Sequence, residues 1–309
     1  MKICFVGTGR SGTTLICDMF GDHPDLLMYT ESYWHPILFE RFGMRAVSAR
    51  EQLRILWEVT FPVPKKKRKW YRRYKKTTAK HPVIETTLAR YNLNPCEISE
   101  EFLEKFGDKE QTIAEFCDAL SGVILQRLGK SLWGDKTPHY FHKMQLLQAI
   151  WPDVVFVNVI RHGVAVARSM QKHIGFQVIQ NLGVDSWTSV AEVHEFLECP
   201  ERDVSLTDYL TMWARQILRS RDEATRLRSG SYTEVYFEDL ITQPANVLQS
   251  ICEFADLDCD AAWLDRQRVI VRSDRLSIGG QIDGIPSMAK DVLHTLGYSM
   301  DTPLPRSAS

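Results

Sequence analysis

The sequence ICFVGTGRSGTTL at residues 3–15 joins a short apolar run to a glycine-rich turn. The run from Ile3 to Val6 is typical of a strand that is buried on both faces of a parallel sheet. Gly7 to Thr14 follows this strand, and a helix is predicted from about Gly12 to Phe20. A strand, a glycine loop and a helix in this order place free backbone N–H groups at a helix start, where they bind phosphate-like anions.

Two later stretches also have the composition of strands. Asp153 to Ile160, with the sequence DVVFVNVI, is rich in β-branched residues and leads into a helical stretch that ends near Met170. Ser231 to Phe237 is a third predicted strand, and a helix from about Pro244 to Phe254 follows it. This alternation predicts an α/β fold with a P-loop-like central parallel sheet flanked by helices.

We expect the 309 residues to form one domain, since this length suits a single large α/β unit with a sizeable core. The predicted domain spans residues 1–300, with 40–130 as a mainly helical insertion and 301–309 as a flexible tail. Further helices are predicted at 100–128, 140–150, 206–228 and 288–296.

Composition limits the classes of function. Lysine plus arginine number 38 against 39 for aspartate plus glutamate, so the overall charge does not indicate nucleic-acid binding. The seven cysteines are scattered without a C-x-x-C pair, which favours reduced thiols over disulfides or a zinc site. No apolar run approaches the roughly 18 residues of a membrane span, and the first residues lack the pattern of a secretory signal. We therefore expect a cytoplasmic protein.

The glycine loop has its own cation. Its spacing is close to a P-loop, but Thr13 stands where the P-loop lysine is expected, and Arg10 supplies positive charge within the loop. The missing lysine disfavours an ordinary nucleoside triphosphatase. A turn that only allows strand and helix to pack, and a degenerate nucleoside kinase, are the alternatives. The residues predicted to hold an anion are Gly9, Arg10, Ser11, Gly12, Thr13 and Thr14.

The loop GTGRSGTTL resembles the 5′-phosphosulfate loop of sulfotransferases that use 3′-phosphoadenosine 5′-phosphosulfate (PAPS). A second segment agrees with this likeness, because Arg161 follows the strand at 153–160 and Ser169 lies eight residues later, as in the family's 3′-phosphate motif. An arginine at a strand end and a hydroxyl two turns into the next helix can converge on one dianion. The resemblance implies that Arg161 and Ser169 bind the 3′-phosphate.

Three shorter segments extend the resemblance. Glu31 follows the turn His23-Pro24-Asp25, as does the general base in the branch of the family that uses a carboxylate. Lys136, in WGDKTP at 133–138, matches a family lysine that stabilises the leaving group. Tyr236 begins a stretch similar to the family's Y-x-E-D-L. These likenesses imply catalytic roles for Glu31 and Lys136 and cofactor binding by Tyr236.

Each of these assignments has a simpler structural alternative. Glu31 is also explained as an exposed loop carboxylate, and Lys136 as a surface lysine before a helix. The acidic residues Glu238 and Asp239 are also explained as caps of the helix that follows the strand. His23 is a rival base, although it more simply closes its turn.

The segment KKKRKWYRRYKK, from Lys65 to Lys76, concentrates positive charge among aromatic residues. The family places acceptor-contacting elements in this part of the chain, so the resemblance puts the insertion at 40–130 on the acceptor side. Three interpretations of this run are open. It is a solvated loop, or it binds an anionic acceptor. In the third interpretation it makes a peripheral contact with an anionic membrane, with the aromatic rings at the headgroup level. No nucleic-acid partner is expected.

The resemblance implies sulfuryl transfer from PAPS, as co-substrate, to a hydroxyl or amine acceptor, and the basic run adds the expectation of an anionic or lipid acceptor. The transfer is expected to be in line and independent of metal. His139 and His142 lack a third ligand at a recognisable spacing, so no metal site is predicted. Two alternatives stay open: an atypical P-loop nucleoside or sugar kinase, and a non-catalytic protein that only binds a nucleotide.

Overall fold

The computed structural model describes residues 1–63, 79–182, 204–268, 276 and 284–299. The strands in chain order are β1 (Ile3–Gly7), β2 (Leu26–Thr30), β3 (Val47–Ser48), β4 (Thr60–Val63), β5 (Ala79–Pro82), β6 (Glu110–Gln111), β7 (Leu132–Lys136), β8 (Val155–Ile160) and β9 (Tyr232–Tyr236).

The α-helices in chain order are α1 (Thr13–Gly21), α2 (Trp34–Phe42), α3 (Ala49–Glu58), α4 (Val83–Leu88), α5 (Pro95–Phe106), α6 (Ile113–Leu128), α7 (Met144–Ile150), α8 (Gly163–Gln171), α9 (Ile174–Leu182), α10 (Leu206–Ala224), α11 (Phe237–Thr242), α12 (Pro244–Ala255), α13 (Ala261–Arg268) and α14 (Ser287–Thr295). Two short 3₁₀ helices are formed by Ala89–Tyr91 and Pro138–His142.

The central sheet has five strands within the described ranges, in the order β2-β7-β1-β8-β9, and every neighbouring pair is parallel. Side chains of β1 alternate between two buried layers, as expected for a strand covered on both faces. Ile3 and Phe5 belong to the layer that contains α1, α12 and α13. Cys4 and Val6 belong to the layer that contains α2, α3, α6 and α7. The predicted fold class, with its parallel sheet flanked by helices, is confirmed.

Two of the five central strands were missed by the sequence analysis. β2 has the sequence LLMYT and β7 has the sequence LWGDK, and neither has the β-branched composition of β8. They pair with each other in parallel, and β7 also pairs with β1. Glu31 therefore directly follows β2, and Lys136 is the last residue of β7.

The helix predicted over residues 100–128 is two helices. α5 ends at Phe106 and α6 begins after Thr112, whose hydroxyl accepts a hydrogen bond from the Glu115 amide while the Glu115 carboxylate accepts one from the Thr112 amide. Such a reciprocal cap starts a new helix because it satisfies two otherwise unpaired N–H groups. The helix predicted over 206–228 ends at Ala224, and the one predicted over 140–150 begins as a 3₁₀ turn.

Helices α2 to α6 lie between β2 and β7 in the chain, which is the region predicted as an insertion at 40–130. The basic run from Lys65 to Lys76 and the predicted tail at 301–309 lie outside the described residues. Among the helices that the structure describes, none combines the length and the apolar character needed to cross a membrane.

Candidate active site

The C-terminal ends of the five central strands lie along one edge of the sheet, because the strands are parallel. In α/β sheets ligands bind outside this edge. Every strand leads at this edge to a residue or loop selected from the sequence. These are Glu31 after β2, Lys136 at the end of β7, the glycine loop after β1, Arg161 after β8 and Tyr236 at the end of β9.

Two glycines of the loop are required both by the backbone and by neighbouring rings. Gly9 has a φ angle of +72° and Gly12 one of +103°, in a region that favours glycine. A Cβ at residue 9 would lie 2.4 Å from the ring of Phe176, and a Cβ at residue 12 would lie 2.2 Å from the ring of Phe237. Both values are far below van der Waals contact. The two phenylalanine rings therefore fit against the loop only because these positions lack side chains.

The hydroxyl side chains of the loop differ in their surroundings. Ser11 is fully buried, and its Oγ has no hydrogen-bond partner in the described part of the protein. Thr13 is buried at the first residue of α1, while Thr14 is exposed. A buried polar atom without a partner is costly, so the Ser11 hydroxyl is suited to a ligand that enters the loop beside the N–H groups of α1.

The two predicted anion-binding segments are in direct contact. Nε of Arg10 donates a hydrogen bond to Oγ of Ser169 at 3.0 Å. Nη1 of Arg161 donates to the backbone carbonyl of Arg10 at 3.4 Å, and the Arg161 guanidinium lies 4.2 Å from the centre of the Phe237 ring. Burial lowers the pKa of Arg10 and the charge of Glu31 opposes this shift, but a guanidinium stays protonated in proteins. The structure thus gathers two cations and a hydroxyl at the loop.

Glu31 and Lys136 form an ion pair on the other side of the loop. Nζ of Lys136 lies 2.7 Å from Oε1 of Glu31, and the lysine side chain is 1% exposed while the glutamate side chain is 44% exposed. Lys136 is therefore not the surface lysine of the simpler alternative. Burial tends to raise the pKa of Glu31, but the charge and the hydrogen bond of Lys136 outweigh it, and the pKa is lowered overall. Glu31 is a carboxylate at neutral pH.

A buried aspartate ties the backbone segments that carry this pair. Asp135 is fully buried, and its two carboxylate oxygens accept hydrogen bonds from the hydroxyls of Ser32 and Thr137. Ser32 follows Glu31, and Thr137 follows Lys136. The amide of Glu31 also donates to the Lys136 carbonyl at 2.8 Å. These bonds hold Glu31 at a φ angle of +55°, which is unusual for a residue with a side chain.

Two histidines lie against Phe176, the residue whose ring packs on Gly9. The ring centroids of His139 and His173 lie 5.9 Å and 5.6 Å from that of Phe176. Burial lowers the pKa of His139 to about 4, and it also lowers the pKa of His173, where Arg10 adds repulsion. Attraction to Glu31 opposes both shifts. Both imidazoles are therefore neutral at neutral pH.

Tyr236 ends β9 at the same edge, and its ring centroid lies 5.9 Å from that of Tyr298. The nearby Glu238 is buried, and its carboxylate accepts hydrogen bonds from the backbone amide of His162 and from the Tyr298 hydroxyl. These contacts give Glu238 a structural role in linking β8, β9 and the segment after α14. Cofactor binding by Tyr236 stays a prediction.

His23 lies in a different environment from the site. Its Nδ1 accepts a hydrogen bond from the Asp25 amide, and its Nε2 lies 2.8 Å from the Asp258 carbonyl, so it closes its own turn.

Burial lowers the pKa of His142 to about 3, and Arg219 adds repulsion. Among the described residues, no three His, Cys, Asp or Glu side chains are grouped to share a metal ion.

Several residues of the site carried no usable signal in the sequence. His173 and Phe176 follow a helix end with no motif around them, and the WGDKTP pattern indicates no role for Asp135. Arg90, from the predicted insertion, donates hydrogen bonds to Thr30 at 2.7 Å and to Asp18 at 2.6 Å, and so links the end of β2 to α1. These residues reach the site through contacts between distant parts of the chain.

Known proteins resemble this chain in sequence and in fold. A model of the sulfotransferase family matches residues 3–261. The nodulation protein NoeE of Sinorhizobium fredii (strain NBRC 101917 / NGR234) is 25% identical over 174 residues, which are 56% of this chain and 32% of NoeE. The match therefore spans about a third of the length of that relative.

Two solved structures share the fold. The sulfotransferase domain from the curacin biosynthetic pathway has a TM-score of 0.58 and 15% identity, and the alignment covers 96% of this chain and 98% of that domain. The sulfotransferase domain from the Synechococcus PCC 7002 olefin synthase has a TM-score of 0.56 and 18% identity, with coverage of 96% and 94%. Because the family model extends over most of the chain, and the family predicted from the motifs is thereby confirmed, the chain belongs to the sulfotransferase family.

Proposed function

We propose that this chain transfers a sulfuryl group from PAPS to a hydroxyl or an amine of an acceptor. The observation that supports this most is the contact between the two cationic segments, in which Arg161 bonds the Arg10 carbonyl and Arg10 bonds Ser169. PAPS carries anionic groups on both its 5′ and 3′ positions, so it needs two adjoining anion sites. The loop follows β1 and Arg161 follows the neighbouring strand β8, and adjacent strands lie about 4.8 Å apart.

The residues at this edge fit the two ends of the nucleotide. Ser11 offers a buried hydroxyl without a partner in the described structure, and the N-terminus of α1 offers backbone N–H groups. In the proposal the 5′-phosphosulfate is held by Gly9, Arg10, Ser11, Gly12, Thr13 and Thr14. The 3′-phosphate is held by Arg161 and Ser169, with Tyr236 beside the nucleotide.

In the sheet, β7 and β2 lie on one side of β1, and β8 lies on the other. Glu31 and Lys136 therefore lie on the opposite side of the loop from Arg161. In the proposed reaction the acceptor oxygen or nitrogen attacks the sulfur, the bond from sulfur to the 5′-phosphate oxygen breaks, and the acceptor proton passes to Glu31. Lys136 donates a hydrogen bond to the leaving oxygen and stabilises its developing charge.

The ion pair between these residues gives the reaction an order of events. Lys136 holds down the pKa of Glu31 while the two are 2.7 Å apart. When the bridging oxygen of the donor takes the hydrogen bond of Lys136, Glu31 loses that stabilisation and becomes a stronger base. Three cationic side chains, Arg10, Arg161 and Lys136, supply the positive charge that Mg²⁺ supplies in kinases. We therefore propose transfer that does not depend on a metal.

The acceptor is proposed to carry a hydroxyl or an amine and to be anionic or a lipid. The support is the basic run from Lys65 to Lys76, which also suits peripheral contact with an anionic membrane. The cysteines are seven in number and scattered along the chain, which supports a cytoplasmic location. Binding to anionic and neutral vesicles over a salt series tests the membrane contact, which should weaken as salt rises. Equal binding to both kinds of vesicle would contradict it.

Titration calorimetry with 3′-phosphoadenosine 5′-phosphate (PAP), the product nucleotide, tests the nucleotide assignment. We expect micromolar binding that is lost in Arg161→Ala. Arg54→Ala is the matched control, because Arg54 is an exposed arginine on α3 that pairs only with Glu51 and Glu58 in the described structure, and it should bind PAP as the unmodified protein does. Tight magnesium-dependent binding of ATP with no binding of PAP would instead support the kinase alternative.

Replacement of the proposed base separates catalysis from binding. Glu31→Gln keeps the shape of the side chain but removes its basicity, so sulfate transfer from radiolabelled PAPS should fall by about 100-fold or more. PAP affinity should stay nearly the same, because Glu31 lies on the side of the loop away from Arg161. Unchanged transfer would remove Glu31 from its assigned role, and absence of transfer in the unmodified protein over a broad acceptor screen would support the non-catalytic alternative.

A further inference from the structure

The link between β8 and β9 continues beyond the last residues of the two strands. Ile160 and Tyr236 are the final pair of the ladder. Two residues further, the amide of His162 donates a hydrogen bond to Oε1 of Glu238 at 3.0 Å. A side chain thus replaces the backbone ladder at this point. Arg161 is held between one residue in the ladder and one residue fixed by Glu238.

The second oxygen of Glu238 is bound by a distant part of the chain. The hydroxyl of Tyr298 donates to Oε2 at 2.6 Å, and Glu238 is only 2% exposed. A buried carboxylate is tolerated when hydrogen bonds replace its lost hydration, and hydrogen bonds to charged groups are among the stronger ones in proteins. Without the Tyr298 hydroxyl, Oε2 of Glu238 would lose this hydrogen bond in a buried position. We then expect the Glu238 side chain to move away from the His162 amide.

The His162 ring attaches the same segment a second time. Nδ1 of His162 accepts a hydrogen bond from the Val164 amide at 3.3 Å, and Nε2 lies 3.0 Å from the Ser299 carbonyl. One neutral tautomer, with the proton on Nε2, satisfies both contacts. Burial lowers the pKa of His162, which keeps this neutral form dominant at neutral pH. Residues 298 and 299 therefore hold the backbone that directly follows Arg161.

We propose that Glu238 and Tyr298 are positioning residues that place Arg161 for the 3′-phosphate. The Arg161 guanidinium lies against Phe237, the neighbour of Glu238, and bonds the Arg10 carbonyl of the loop. A shift of the strand end at His162 therefore moves this guanidinium relative to the loop. This inference rests on the proposed function, since it assigns a device that sets the affinity of the same site for a 3′-phosphorylated nucleotide.

Tyr298→Phe tests the inference with little change in packing. The variant keeps the ring contacts to His162 and Tyr236, at centroid distances of 5.0 Å and 5.9 Å, and loses only the hydroxyl. Binding of PAP and of adenosine 5′-phosphate, which lacks the 3′-phosphate, is measured by calorimetry. Loss of a hydrogen bond to a charged group predicts about a tenfold weaker affinity for PAP. The affinity for adenosine 5′-phosphate should stay within about twofold.

Tyr232→Phe is the matched control. It removes a tyrosine hydroxyl from the first residue of β9, where that hydroxyl accepts from Asn158 at 2.8 Å and donates to Glu234 at 2.9 Å. This site lies away from the strand ends that carry the anion pockets. The control should lower stability while leaving the ratio of PAP to adenosine 5′-phosphate affinity unchanged, because a general loss of stability does not select for the 3′-phosphate.

Each outcome decides a different point. An unchanged affinity ratio in Tyr298→Phe, with a clear preference for PAP in the unmodified protein, overturns the positioning role alone. A lack of preference for PAP in the unmodified protein overturns the assignment of Arg161 in the proposed function, and the positioning role with it. If Tyr298→Phe does not fold, Glu238→Gln keeps the size of the side chain but replaces the charged acceptor of the Tyr298 hydroxyl and the His162 amide by a neutral amide, which weakens both hydrogen bonds. The expected result is the same selective loss of PAP affinity, with faster hydrogen exchange at the His162 amide.

Discussion

Replacement of Gly12 by alanine is the most direct test of the loop geometry. Gly12 precedes α1, with a φ angle of +103°. A Cβ at this position would lie 2.2 Å from Cδ2 of Phe237, whose side chain is only 2% exposed. The ring also lies against the guanidinium of Arg161 at 4.2 Å. It therefore has little room to move without disturbing Arg161, the proposed ligand of the 3′-phosphate.

The expected cost of Gly12→Ala has two parts. A residue with a side chain in such a backbone conformation costs about 1–3 kcal/mol. Forcing an extra methyl group into a packed core costs about 1–3 kcal/mol more. The free energy of unfolding should therefore fall by about 2–6 kcal/mol, which is a large part of the typical total of about 5–15 kcal/mol. PAP binding should be lost as well, because the loop or Arg161 must move.

Gly122→Ala is the matched control, since the chemical change is the same. Gly122 lies in the middle of α6, is exposed, and has no atom within 4 Å of a built Cβ. Alanine favours a helix interior over glycine by about 1 kcal/mol, so this variant should be more stable than the unmodified protein and should bind PAP equally well.

Urea unfolding followed by tryptophan fluorescence measures both variants, with the free energy extrapolated to water. The reasoning fails if Gly12→Ala unfolds within about 0.5 kcal/mol of the unmodified protein, a difference typical of neutral surface changes, or if it still binds PAP with full affinity. A destabilised Gly122→Ala would show that the method does not separate the loop strain from a general effect of the added methyl group.

Two further predictions concern pH and have opposite signs. Burial lowers the pKa of His35 to about 3, so folding favours the neutral form of its imidazole. The resulting stabilisation is fully present above the unfolded pKa near 6.5. As the pH falls below 6.5, the free energy of unfolding decreases by up to about 1.4 kcal/mol per pH unit. His35→Gln should reduce this acid loss, and an unchanged slope of unfolding free energy against pH would contradict it. Burial raises the pKa of Asp135 to about 6, so its contribution to stability falls as the pH rises from about 4 to about 6. Asp135→Asn should therefore gain stability relative to the unmodified protein over that range in the same urea measurements, and a parallel pH dependence of the two proteins would refute this.

Local patterns in the sequence were enough to predict the strand, the glycine loop and the helix for which anion binding is proposed. The apolar run before Gly7, the glycines at residues 9 and 12 and the helix that follows are encoded within some fifteen neighbouring residues. Backbone conformation at a glycine turn depends on the residues in the turn, so it can be inferred without knowledge of distant contacts. The strands β8 and β9 were recognisable for a similar reason, since their apolar and β-branched content is local.

The part of the site around Glu31, the proposed base, was harder to predict. β2 and β7 lack a clear strand pattern, and β7 contains a glycine, an aspartate and a lysine. The charged residues Asp135 and Lys136 are buried because Ser32 and Glu31 meet them from the segment after β2, while Thr137 binds Asp135 from its own segment. The burial of a charged residue depends on partners that a single segment of sequence does not reveal.

The chain's local sequence therefore determined the strand, glycine loop and helix of the proposed anion site, together with Arg161 and Tyr236 at the ends of two further strands. The packed molecule established which of these residues meet: Arg10 with Ser169, Glu31 with Lys136, and Glu238 with Tyr298, pairs separated by 159, 105 and 60 positions. The physical reason is that turn and helix preferences act over a few residues. Burial, pKa shifts and ion pairing arise from the sheet order and the helices packed on it, which bring distant segments together.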